Sequence, residues 1–153
     1  MKRVLSAVLA ALLILSLCAC GSGGAKDVDA QTLADALKDG VAFEDALSVV
    51  SSDELAFGLS GMPENYIAAA YRADGTTSEE IIAVSCGNKA DAAMVKAALE
   101  THLAEVKDQA SKYQPEELAR LDGSILTVVG NCVVLCVTAD TDTANAIIKE
   151  YAS

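Results

Sequence analysis

Ser124-Ile125-Leu126-Thr127-Val128-Val129-Gly130-Asn131-Cys132-Val133-Val134-Leu135-Cys136-Val137-Thr138 decides the fold. Two β-branched, apolar runs flank Gly130-Asn131, a pair that suits a two-residue hairpin loop. That loop sets the register. Val128 falls opposite Val133 and Leu126 opposite Leu135 on one face; Val129 meets Cys132, Thr127 meets Val134 and Ile125 meets Cys136 on the other. Both faces are apolar, so the hairpin is expected at the centre of a sheet, covered by helix on one side and partly covered on the other.

Working back from it, Glu80 to Cys86 alternates in the same way, with Ile82 and Val84 facing one side and Ile81 and Ala83 the other. Asp74-Gly75-Thr76-Thr77-Ser78 separates it from Asn65 to Arg72, which predicts a second antiparallel hairpin. The first arm is ambiguous, because Ala68-Ala69-Ala70 suits a helix equally well. Asn88 to Lys112 predicts the long helix. Asn88 is its cap, and Val95, Leu99, Val106, Ala110 and Tyr113 form the buried stripe. Gln114-Pro115-Glu116-Glu117 ends it and opens a short second helix. Asp29 caps a helix to about Lys38, Ser51 and Glu54 have capping-box spacing, and Asp140 caps a closing helix carrying Ala144, Ile147, Ile148 and Tyr151. The expected fold is α+β, a four-stranded antiparallel sheet in ββ-α-ββ-α order with a short N-terminal helical segment.

The start of the chain reads as an address. Met1-Lys2-Arg3 is basic, Val4 to Leu17 is apolar apart from Ser6 and Ser16, and the stretch closes with Leu17-Cys18-Ala19-Cys20-Gly21. A basic head and a short apolar run make a secretory signal. Leucine three places before a cysteine, with a small residue between, is the lipobox pattern, in which the cysteine receives a diacylglycerol and becomes the new first residue. Cys20 fits and Cys18 does not, since Leu17 is too bulky before a cleaved bond. The expectation is a signal peptide over 1–19, lipidated Cys20 and a flexible tether over 20–27, and one domain over 28–153. Acyl chains, palmitate among them, contribute about 0.8 kcal/mol per buried CH₂. They would hold the protein on the extracytoplasmic face of the cell membrane. A Gly/Ser tether from Gly21 to Lys26 reaches about 12–15 Å.

The 153 residues hold 11 Lys+Arg, 22 Asp+Glu and one His, a formal charge of −11. Without the first 19 residues, Lys2 and Arg3 among them, 9 basic face 22 acidic side chains. That balance argues against nucleic acid as partner, and it repels the domain from anionic headgroups. The 134 residues left after processing are too few for the two lobes with which transport-binding proteins close on a ligand.

Chemistry is sparse. Three cysteines remain, Cys86, Cys132 and Cys136. On one strand Cys132 and Cys136 would lie about 13 Å apart, beyond the ~7 Å that a disulfide spans. A bond from Cys86 to either stays open, and the plain expectation is small core residues. No His lies near them, so no zinc site is expected. Cys86 precedes a helix N-terminus, which lowers a thiol pKa, and His102 falls at the margin of the helix stripe. Asp74 to Glu80 fails as a calcium loop, because Glu79 stands at the glycine position and Ser85 at the glutamate position. Glu116 and Glu117 point different ways, and Asp140-Thr141-Asp142 reads as a cap. No phosphate loop, dinucleotide fingerprint or hydrolase motif occurs. No catalytic residue, cofactor or metal ligand is assigned.

The lipobox, Glu80-Ile81-Ile82-Ala83-Val84, the long charged helix, Tyr113-Gln114-Pro115-Glu116-Glu117-Leu118 and Val129-Gly130-Asn131-Cys132, in that order, resemble a lipoprotein family of anaerobic Gram-positive bacteria defined by a domain of unknown function (DUF4358-like). The resemblance spans Val28 to Tyr151, with Cys132 where an aromatic is expected. It implies a lipid-anchored extracytoplasmic domain and supplies no catalytic residue. The expected role is a non-catalytic binding or interaction module, its partner an envelope protein or a small-molecule ligand. The alternatives are a small envelope enzyme with a fold-assembled site, or a ligand-binding accessory subunit of a transporter.

Overall fold

Alternation of apolar side chains buries both faces of a strand only when something covers each face, and here helices do. The computed structural model describes residues 26–153; the leader, Cys18, Cys20 and Gly21 to Ala25 lie outside the described residues. In chain order the elements are α1 (Ala30–Gly40), β1 (Ser48–Val49), α2 (Ser52–Gly58), β2 (Tyr66–Arg72), β3 (Glu80–Cys86) and α3 (Lys89–Tyr113). A 3₁₀ turn (Pro115–Glu117) leads into α4 (Leu118–Asp122), β4 (Ile125–Val129), β5 (Cys132–Val137) and α5 (Thr141–Ala152). Among the described residues the class is mixed, with five α-helices and a fully antiparallel sheet.

The sheet has five strands in the order β1-β2-β3-β5-β4, which corrects the expected four. The extra strand pairs Ser48 with Arg72 and Val49 with Tyr71. Two residues carry no readable period, so only the neighbouring strand reveals it. A second correction concerns the hairpin: β5 is central, but β4 is an edge. The register read from the loop is observed at all five positions, from Val129↔Cys132 to Ile125↔Cys136. β3 pairs with β2 on one side and β5 on the other, which makes Ala68 to Ala70 strand.

Each face of the sheet has its own core, so both are covered, against the expectation of one partly open. Leu33, Leu37, Ala144 and Ile148 from α1 and α5 pack on Ile81, Ala83, Cys132, Val134 and Cys136. On the other face Val95, Leu99 and Leu121 from α3 and α4 meet Ile82, Val84, Val133, Leu135 and Val137. Every residue of β5 is buried. Fully burying one such side chain contributes about 1.5–3 kcal/mol. Tyr113, placed on the buried stripe from spacing, is 78 % exposed. The last buried residue of α3 is Ala110, and the final turn runs on beyond it.

The caps lie where the residue types predict. Asp29, Ser51, Asn88 and Asp140 accept from the backbone N–H of Thr32, Glu54, Asp91 and Thr143. The capping box is only half made: Glu54 turns instead to Arg72, 3.7 Å away.

Gly130-Asn131 does more than reverse the chain. Asn131 N donates to Lys26 O (3.0 Å), its Nδ2 donates to Asp27 Oδ1 (2.9 Å), and its Oδ1 accepts from Val28 N (2.6 Å). Ser85 Oγ donates to Val28 O and accepts from Ala30 N. Lys26 to Ala30 are thereby held across the ends of β3 and β5. Gly130 has φ +59°, and a Cβ there would stand 2.0 Å from Lys26 O. Gly130→Ala therefore meets both a left-handed backbone penalty and a backbone clash. It should lose about 1–3 kcal/mol in urea unfolding, and faster amide exchange at Val28 should accompany the loss.

Candidate functional site

A concavity lies where the first turns of α3 pass the end of the β4–β5 hairpin. Its volume is about 700 Å³. The floor is Cys86 and Gly87 at the end of β3; Ala92, Ala93 and Lys96 of α3 form one wall, and Val128 and Asn131 of the hairpin the other. Asn88 caps α3 inside the groove, and Asp27 closes the end at which the described chain begins. The helix N-terminus and two lysines bring positive potential into an acidic molecule. Lys96 is already paired with Glu100, while Lys89 has no ion pair among the described residues.

Cys86 reaches the groove, but burial, then the charge of Asp91, pushes its thiol pKa up. The lowering expected from the helix N-terminus is thus outweighed. Burial pushes Cys132 up to about 11 and Cys136 up to about 12. All three thiols are free. Cys132 and Cys136 belong to the core under α1 and α5 and Cys86 to the opposite core, so the question of a bond from Cys86 closes on geometry.

The charged residues of interest assemble elsewhere. His102 Nε2 donates to Glu80 Oε1 at 2.7 Å, and Glu80 Oε2 accepts from Arg72 Nε at 3.3 Å. His102 is partly buried, the boundary position its place at the margin of the helix stripe predicts, and its partner Glu80 is 3 % exposed. Just before the start of β3, Glu79 accepts from Glu44 N and Asp45 N at 3.0 Å. Glu117 accepts from Ser78 N (2.8 Å), Ser78 Oγ (2.7 Å) and Arg120 Nη1 (2.5 Å). Arg120 also meets Glu44 and lies 3.9 Å from Glu79. Burial raises the Glu117 pKa, but Ser78 and Arg120 outweigh it and the net shift is downward. Burial lowers Arg120, and Glu44, Glu117 and Glu79 more than restore it. Glu79 and Glu117 are each engaged in holding a loop. Asp74, Asp140 and Asp142 join no metal-binding group among the described residues.

Sequence reading named Cys86 and Asn88 but missed Lys89, Ala93 and Val128 as groove residues, since no local pattern joins α3 to the hairpin. The link between Glu79, Glu117 and Arg120 was equally hidden by separation along the chain.

Two outcomes test this account. Arg120→Met strands Glu117 and Glu79 without their cation, and should cost about 3–5 kcal/mol in denaturant unfolding. The thiols set an alkaline limit. Their folded pKa values lie above the ordinary 9.0, so folded thiols keep protons that unfolded ones release. Stability from this source is complete below pH 9 and should fall as pH rises from 9 toward 12. Urea midpoints between pH 8 and about 10.5 measure it, and Cys136→Val should flatten the slope.

Residues 60–138 match the model of a family described as a domain of unknown function (DUF4358). That span takes in β2, β3, α3, β4 and β5, hence both walls and the floor of the groove, while α1 and α5 lie outside it. No curated protein and no solved structure matches the chain. No described helix is long and apolar enough to cross a membrane. With more than half its length inside the matched span, the chain belongs to the family of domains of unknown function designated DUF4358.

Proposed function

We propose that this protein is an extracytoplasmic lipoprotein, anchored through acylated Cys20 on the cell membrane, whose domain binds an envelope protein or a small molecule in the groove between α3 and the β4–β5 hairpin. The observation that carries the binding role is the groove itself. It is about 700 Å³, within the usual range for ligand sites, and its surface is mainly apolar, with Asp27, Asn88, Lys89, Lys96 and Asn131 as its polar groups. The anchor reading rests on the order of basic head, apolar run and Leu17-Cys18-Ala19-Cys20. The two readings are consistent in space. Asp27 lines the groove, and six residues from Gly21 to Lys26 would span about 12–15 Å as a flexible chain. The groove would then work close to the membrane surface, with acyl chains giving firm attachment and the acidic domain kept off anionic headgroups.

The groove assembles no acid–base or nucleophilic pair among the described residues, so binding rather than turnover is the reading adopted. Mass spectrometry of the protein from membranes should find acyl chains on Cys20, and Cys20→Ala should release the protein or leave it unprocessed. Unmodified wild-type protein in the soluble fraction would refute the anchor. A photo-crosslinker at Ala93, used on intact cells, should capture a partner that a second change, Val128→Trp on the facing wall, loses; equal labelling with the groove filled would place binding elsewhere.

A further inference from the structure

β4 lies beside the groove and is paired on one side only. In an antiparallel hairpin closed by a two-residue loop, the residues flanking the loop exchange both hydrogen bonds, here Val129 and Cys132. Alternation then turns the N–H and C=O groups of Leu126 and Val128 away from β5. No described strand pairs with them. Proteins ordinarily guard such an edge with a charge, a proline, a bulge or extreme shortness. β1, at the opposite edge, is only two residues long. β4 has none of these guards: Ile125-Leu126-Thr127-Val128-Val129 carries no charge or proline, and its register runs unbroken over five pairs.

Outward backbone groups of this kind are satisfied by one type of occupant, an extended chain added as a strand. Val128, 45 % exposed, points its side chain into the groove wall opposite Ala92 and Ala93. We infer that β4 accepts an extended segment of a partner protein as a sixth strand, with an apolar side chain of that segment entering the groove and a carboxylate meeting Lys89. Lys89 is the groove lysine without an ion pair among the described residues, and the α3 N-terminus adds to its attraction for an anion. Asp27, the groove's own acid, is already taken by Asn131 Nδ2. A second copy of this chain is the competing occupant. Two copies each carrying a formal charge of −11 repel one another over their whole surfaces, whereas a segment of a less acidic partner needs only one carboxylate at Lys89. The inference rests on the groove being the binding site.

The test uses the processed, lipid-bearing chain in nonionic detergent and a fluorescent synthetic peptide of alternating valine and threonine with one glutamate, read by anisotropy. Two further peptides carry N-methyl groups on alternate residues, one set for each edge of the added strand. Only the set facing β4 should abolish binding, because only those N–H groups are used. Replacing the peptide's glutamate by lysine, or making Lys89→Glu, should weaken binding about tenfold. Val128→Pro removes an outward donor while sparing the β4–β5 ladder, and should also abolish binding. The inference falls if both methylated peptides bind equally, or if the parent peptide does not bind. It also falls if Leu126 and Val128 amides are already protected from exchange in the free chain. A wild-type dimer in sedimentation that Val128→Pro dissolves would assign the edge to a second copy instead. Crosslinking through position 93 is read separately, so a retained crosslink with no peptide binding rejects strand addition and leaves the groove reading standing.

Discussion

Pairing of β3 with β5 is the constraint on which the rest of the molecule depends. Six residue pairs, from Glu80↔Val137 to Ser85↔Cys132, join the two halves of the chain across about fifty residues of intervening sequence. Once they pair, both strands are interior, and each needs apolar cover on two faces. That demand recruits α3 and α4 to one side and α1 and α5 to the other. It also displaces β4 to the edge, because β5 has only two sides and β3 occupies one. The open edge is thus a consequence of how the centre is made.

Charge is used sparingly inside this frame, and for fastening. Glu79, 1 % exposed, gathers the backbone N–H groups of the loop after α1, and Glu117 gathers Ser78 from the turn before β3. Arg120 lies between them and offsets part of their negative charge. Buried carboxylates with hydrogen bonds from backbone donors hold loops that have little apolar surface of their own. His102 and Arg72 serve Glu80 similarly where α3 crosses the strand. Glu79 and Glu80 stand at neighbouring positions at the start of β3, and strand alternation sends their side chains to opposite sides.

The opposite end of β3 has another character. There the strand gives way to Gly87, α3 begins on its Asn88 cap, and the hairpin loop brings Asn131 alongside. Asn131 ties the incoming Lys26–Val28 segment to this end, so the groove and the start of the described chain share one structural fixture. Apolar walls, a helix N-terminus and an unguarded edge strand therefore coincide in one region.

Local sequence was enough for the features that depend on near neighbours. The hairpin register followed from a two-residue loop between β-branched runs, and four helix caps followed from Asp29, Ser51, Asn88 and Asp140, because each relies on contacts within a few residues. The leader and Cys20 are likewise a linear signal, and their reading remains a proposal outside the described residues. What only tertiary structure decided were relations between distant segments: the placement of β5 beside β3, the two-residue β1 that exists by pairing with β2, the exposure of Tyr113, and the convergence of Glu79, Glu117 and Arg120. The thiol of Cys86 makes the point chemically. Its place before a helix suggested a lowered pKa, but burial among residues far along the chain, and Asp91, raised it. Periodicity tells which face of an element is apolar; which other element covers that face depends on packing in three dimensions.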